Sequence, residues 1–136
     1  MMLIREINDS FKISKATDCL KYLKEFKEED REFIIVLGLD SANKLLYRDV
    51  VSIGTLNSCL GHPREIFKTA IMRSVNSIII SHNHPSGNTI PSKEDEMFFD
   101  SIKKAGELLQ INVLDSLIIT SKNLYSMVTK DLLEVE

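Results

Sequence analysis

The chain has 136 residues, 43% of them hydrophobic and 27% charged, with a formal net charge of −3. These values exclude collagen-like, disordered and disulfide-framework proteins, and they fit one domain large enough to bury a core. The slight acidity argues against a broad electrostatic nucleic-acid binder, while leaving room for a local basic patch.

Residues 1–12 read as a loose lead-in and residues 13–136 as a single domain. A helix is predicted over 15–26, with Ser14 as N-cap and Cys19, Leu20, Leu23 and Phe26 on one face. Residues 32–40 are short, β-branched and almost continuously apolar, the pattern of a strand buried on both faces. Asp40-Ser41-Ala42-Asn43 is a turn signal, and 45–53 reads as a second strand hairpinned to the first. Pro63 opens a helix at its first position, with Ile66, Phe67, Ala70, Ile71 and Val75 as its apolar stripe. Residues 77–81 form another buried strand and 85–91 a loop. A long amphipathic helix follows over 92–109, with Phe98, Ile102, Ala105 and Leu109 on one face. Strands over 111–120 and 124–128 complete the chain. The sum is an α/β fold, a mixed sheet flanked by helices. Residues 51–53 or the last strand are expected at a sheet edge, where pairing with a second chain could occur.

No apolar run approaches the roughly 20 residues of a membrane span. The start, Met1 to Glu6, lacks the apolar stretch of a secretory signal. Cys19 and Cys59 belong to no Cys-x-x-Cys pair and read as small, partly buried thiols in a reducing, cytoplasmic setting.

The chemistry concentrates in His82-Asn83-His84-Pro85-Ser86-Gly87-Asn88-Thr89-Ile90-Pro91-Ser92-Lys93-Glu94-Asp95. Side chains two apart in a strand point the same way, so both imidazoles can face one point in space. Asp95 lies in the first turn of the next helix, from which its carboxylate can swing back towards the rings. Two imidazole nitrogens and one carboxylate oxygen suit Zn²⁺ at about 2.0–2.2 Å, with water as fourth ligand, the pattern of a catalytic rather than a structural zinc. Ser92 also starts the helix as an N-cap, with an acidic residue three positions on, and the two roles are compatible. In a chain of this composition the joint spacing arises by chance about four times in ten thousand. Gly87 is expected to allow a turn that a Cβ would block, and Pro85 and Pro91 to stiffen the loop. Asn83 points away from the rings by strand alternation and receives no role.

His82-x-His84-x7-Ser92-x2-Asp95 resembles the JAMM motif of MPN+/JAB-domain zinc metalloproteases, and the wider context resembles the RadC branch of that group. The matching stretches are Val51-Ser52-Ile53-Gly54-Thr55-Leu56-Asn57, His62-Pro63-Arg64-Glu65-Ile66-Phe67, Ile80 to Gly87, Pro91 to Asp95 and Val113-Leu114-Asp115. The resemblance as a whole covers about residues 14–127. The resemblance implies a JAB/MPN, cytidine-deaminase-like fold and one Zn²⁺ held by His82, His84 and Asp95. It implies Glu32 as general base and proton shuttle, because the motif calls for a glutamate upstream at the start of a core strand. Ser92 would then donate to the zinc-held water or to the developing oxyanion. The implied activity is hydrolysis of a peptide or isopeptide amide in a protein or peptide substrate. The alternative is a non-enzymatic DNA-repair-associated binding module, for which Lys68, Arg73, Lys103 and Lys104 would be the contact residues. Longer members carry an N-terminal helix-hairpin-helix region, and this sequence starts too close to the domain to include one. The family's usual histidine after Asp115 is replaced by Ser116, so the support that histidine would give near the metal is not carried over to this sequence. His62 reads as a loop residue, with a substrate-facing role as the alternative.

Overall fold

A computed structural model of the chain describes residues 4–8, 10–54 and 63–135. Cys59, His62 and the Thr55-Leu56-Asn57 part of the family-like stretches lie outside these residues.

The architecture is a seven-stranded mixed sheet, in the order β1-β3-β2-β4-β5-β6-β7, with helices on both faces. The strands are β1 (Ile4–Glu6), β2 (Glu32–Leu39), β3 (Leu45–Gly54), β4 (Ser77–Asn83), β5 (Asn112–Ile119), β6 (Asn123–Ser126) and β7 (Leu132–Glu134). The helices are α1 (Leu20–Leu23), α2 (Pro63–Met72) and α3 (Lys93–Leu109). Among the described residues only β4 and β5 run parallel, and α3 is the crossover between them. The apolar runs in β2 and β4 are explained by this placement. They are central strands, and alternate residues enter two separate cores. Ile35, Leu37 and Ile79 join Tyr22, Leu23 and Phe26 of the N-terminal helical segment on one face. Ile34, Val36, Ile78 and Ile80 meet Ile66, Phe67 and Ala70 of α2 and Phe98 and Ile102 of α3 on the other.

Several expectations are corrected. The lead-in is not loose: β1 pairs antiparallel with Tyr47–Asp49 of β3, and Ile7 is buried. The helix expected over 15–26 is split, with 3₁₀ turns at Ala16–Cys19 and Lys24–Phe26 on either side of one α-helical turn. Ser14 does not cap it through its own oxygen. Instead the Asp18 carboxylate reaches back and accepts from the Ser14 N–H and hydroxyl and the Lys15 N–H. Helix α2 stops at Met72; Ile71 lies within it but off its buried stripe, 55% exposed, while Val75 is buried from the following turn. Leu109, at the last turn of α3, is 43% exposed. A strand that the sequence reading missed, β7, takes the sheet edge beyond β6, and β1 takes the other edge.

Gly38 of β2 sits opposite Tyr47 of β3, and a Cβ at Gly38 would run into the Tyr47 ring. Gly38→Ala is therefore expected to destabilise the fold by about 1–3 kcal/mol, the usual cost of overpacking a tight core, read as a lower urea midpoint. An unchanged midpoint would mean that the ring has room to move.

Candidate metal centre

The site forms where β4 ends and α3 begins, at the carboxyl end of a parallel pair, which is where open α/β sheets place ligands. His82 is the penultimate residue of β4, and His84 lies one residue beyond it. Their Nε2 atoms are 3.0 Å apart. Ser92 caps α3 by accepting the Asp95 N–H (3.0 Å), and Asp95 returns the bond by accepting the Ser92 N–H at Oδ2 (2.8 Å). This reciprocal box does more than start the helix. It fixes the Asp95 carboxylate over the ends of the two rings, with Oδ1 3.2 Å from His82 Nε2 and Oδ2 3.3 Å from His84 Nε2. The Ser92 cap uses an oxygen lone pair, so the hydroxyl proton stays available for donation outward.

This donor set fits a metal. One ligating atom from each of His82, His84 and Asp95 lies within 4.8 Å of the other two. The ring nitrogens lie 3.0 Å apart and each is 3.2–3.3 Å from a different Asp95 oxygen, in the range of the donor–donor separation of about 3.3 Å around an ion bonded at zinc distances. Asp95 is 1% exposed, yet its Oδ1 has no aligned hydrogen-bond donor among the described residues. His84 Nδ1 lies 2.6 Å from the Asn88 carbonyl, which can only accept. Nδ1 must therefore carry the proton, leaving the Nε2 lone pair of the neutral ring directed at the cluster, as in metal-ligating histidines.

The electrostatics agree. Burial opposes charge on both partners. Contacts with His82 and His84 and the Ser92 N–H nevertheless hold the Asp95 carboxyl far below the usual carboxylate range. Burial likewise disfavours a charged His84, but Asp95 and the Asn88 carbonyl outweigh it and push its pKa up. The point between these groups selects positive charge, either a proton or a cation.

Glu32, the first residue of β2, lies just beyond the pair Ile34–His82 that ends the β2–β4 ladder. By alternation it shares a sheet face with Ile34, His82 and the cluster. Its charge is felt at His84, and its Oε2 is buried without a hydrogen-bond partner among the described residues. Ser116 is 1% exposed and sits opposite Ile80, one step deeper than His82 on the same face. Asp115 faces the other way. Burial raises its pKa, although it accepts from the Ser126 hydroxyl and the Ser116 and Val128 N–H groups. It lines a cavity of about 610 Å³ on the far side of the sheet, away from the histidines.

Asn83 is a residue that the sequence reading left without a role. It does turn away from the rings, but its side chain is fully buried, accepting the Phe33 N–H (2.7 Å) and donating to the Arg31 carbonyl (2.8 Å). Gly87 adopts a turn that a Cβ disfavours, as expected. Nothing lies within 4 Å of the place a Cβ would take, so its φ of 84° is the requirement rather than space. Cys19 is free and fully buried, and desolvation pushes its thiol up to about 12. The four basic residues considered for nucleic acid are engaged locally. Arg73 pairs with Glu6, Lys68 with Glu65 and Lys104 with Asp100, while Lys103 lies over the Phe99 ring. No described helix is long and apolar enough to cross a membrane.

Comparison with known proteins agrees with this geometry. The sequence model of the RadC-like JAB domain matches residues 13–132. A UPF0758 protein of Chlorobaculum tepidum is 43% identical over 120 residues, covering 88% of this chain and 54% of that protein. One from Staphylococcus haemolyticus is 42% identical over 128 residues, covering 93% and 56%. One from the archaeon Methanosarcina mazei is 47% identical over 110 residues, covering 79% and 48%. The chain thus spans about half the length of the curated relatives it matches. With its mixed sheet, its flanking helices and its His-His-Asp cluster at the end of β4, the chain belongs to the RadC family, through its RadC-like JAB domain.

Proposed function

We propose that the domain is a zinc-dependent hydrolase of the JAMM type, acting on a peptide or isopeptide amide. The observation that carries this reading is the buried convergence of His82 Nε2, His84 Nε2 and one Asp95 oxygen, with the His84 tautomer fixed for ligation by the Asn88 carbonyl. Three protein donors rather than four leave room for chemistry. Bound zinc supplies Lewis acidity, bringing the pKa of a water it holds to about 7 and polarising a carbonyl. The residues of the chain do the rest. Glu32 accepts the proton of the attacking water on its buried carboxylate and delivers it to the departing nitrogen. The Ser92 hydroxyl, held in place by its capping bond, donates to the oxygen that gains charge. Asp95 and the loop from Pro85 to Pro91 hold the donor atoms in register, which lowers the ordering cost of the reacting state.

The alternative of a DNA-binding module rests on cations that already have local partners, so the hydrolase reading is preferred. A salt titration distinguishes them, since a phosphate-tracking protein loses affinity steeply as salt rises. The direct test incubates zinc-loaded protein with a panel of peptide and isopeptide amides. Cleavage by the parent and none by His84→Ala is expected. Failure of the zinc-loaded parent to cleave any of the panel, or equal cleavage by the variant, would overturn the proposal.

A further inference from the structure

We propose that Asn83 is a positioning residue for Glu32, fixing where that carboxylate stands relative to the His82, His84 and Asp95 donors. The inference rests on the reading of Glu32 as the base and adds the device that aims it.

The β2–β4 ladder runs from Leu39–Ser77 to Ile34–His82 and stops there. One step further on, a backbone group of β4 would ordinarily hold β2. The Asn83 carboxamide takes that place, with Oδ1 accepting from the Phe33 N–H at 2.7 Å and Nδ2 donating to the Arg31 carbonyl at 2.8 Å. The Arg31 carbonyl belongs to the peptide unit before the Glu32 Cα, and the Phe33 N–H to the unit after it. One planar side chain therefore grips both peptides attached to Glu32. Nothing comparable holds the other end of the residue, because the buried Oε2 has no hydrogen-bond partner among the described residues. The precision of the carboxylate has to come from its backbone.

The chemistry of the residue fits the task. The grip needs a donor and an acceptor on separate atoms of one short rigid group, which an amide has; an ionised carboxylate lacks the donor, a hydroxyl carries both functions on a single rotating atom, and an alkyl chain has neither. Asn83 is fully buried, so its own end of both bonds is shielded from water. Its place in the chain matters as well. It stands between the two histidines, with strand alternation sending the rings to one face and the amide to the other. The tripeptide that supplies two ligands thus also sets the base, and ligands and base move as one unit.

The test compares the full chain with Asn83→Leu, which keeps the branched heavy-atom shape and loses both bonds, and with Asn83→Ala in case the bulkier leucine variant does not fold. The first readout is amide hydrogen exchange at Phe33 in the metal-free protein. It should accelerate by about tenfold, the equivalent of one net buried hydrogen bond. The second is the pseudocontact shift of the Glu32 carboxyl carbon in the Co²⁺-loaded protein, which falls with the cube of distance from the ion. That shift should change while the Ile80 and Ile102 methyl shifts stay fixed, and zinc affinity should stay within a few-fold of the parent. Unchanged Phe33 exchange, or an unmoved Glu32 signal, would overturn the proposal. Core methyl shifts moving together with Glu32 would do so too, since Asn83 would then brace β4 in general. Failure of the reading of Glu32 as the base looks different: Glu32→Gln would turn over like the parent with Phe33 exchange intact.

Discussion

Asp95→Asn is expected to abolish tight zinc binding while the fold survives. The asparagine carbonyl can still accept the Ser92 N–H that Asp95 Oδ2 now takes, so the start of α3 keeps its reciprocal cap. What disappears is the negative charge and the Oδ1 atom, which is buried, without an aligned donor and 3.2 Å from His82 Nε2. Changing an outer partner of a ligand costs about 10–100-fold in metal affinity, and removing a charged ligand should exceed that range. Competition against a fluorescent chelator measures it. Loss of the cap alone would cost only about 1 kcal/mol of stability, so a binding defect with an intact unfolding transition separates the two roles. Zinc affinity within a few-fold of the parent would show that Asp95 is only a helix-capping residue.

The parts of the molecule that were readable in the sequence share a physical reason. Strands β2 and β4 are buried on both faces, so their apolar runs carry a strong local signal. The two histidines were readable because alternation alone puts them on one face. The unreadable parts depend on contacts distant in sequence. Strands β1 and β7 have three residues each and mostly exposed positions, so their pattern does not differ from that of a loop, and only pairing with β3 and β6 makes them strands. Asn83 announces its face but not its partners, which lie 50 and 52 positions away along the chain. Glu32 is intermediate. Locally it closes an acidic stretch with Glu28, Glu29 and Asp30, and family resemblance was needed to distinguish it. The fold supplies the missing physics by placing it one step past His82 on the ligand face.

Glu32→Gln separates chemistry from architecture most sharply. Neither Glu32 oxygen belongs to the donor cluster of His82, His84 and Asp95, so zinc affinity should stay close to that of the parent. The amide cannot take a proton, and loss of a positioned general base typically costs about 10²–10⁴-fold in rate. The measurement is kcat/KM on whichever amide substrate the zinc-loaded parent cleaves, with metal content determined on the same sample. Stability should move the other way or not at all. Oε2 is buried without a partner, and a lone carboxylate oxygen in that position is a cost that the neutral amide reduces. A variant that is as stable as the parent or more so, fully loaded and almost inactive would show a residue kept for catalysis at the expense of the fold. A fully active variant would remove Glu32 from the mechanism, and a variant that loses zinc would make it part of the metal site instead.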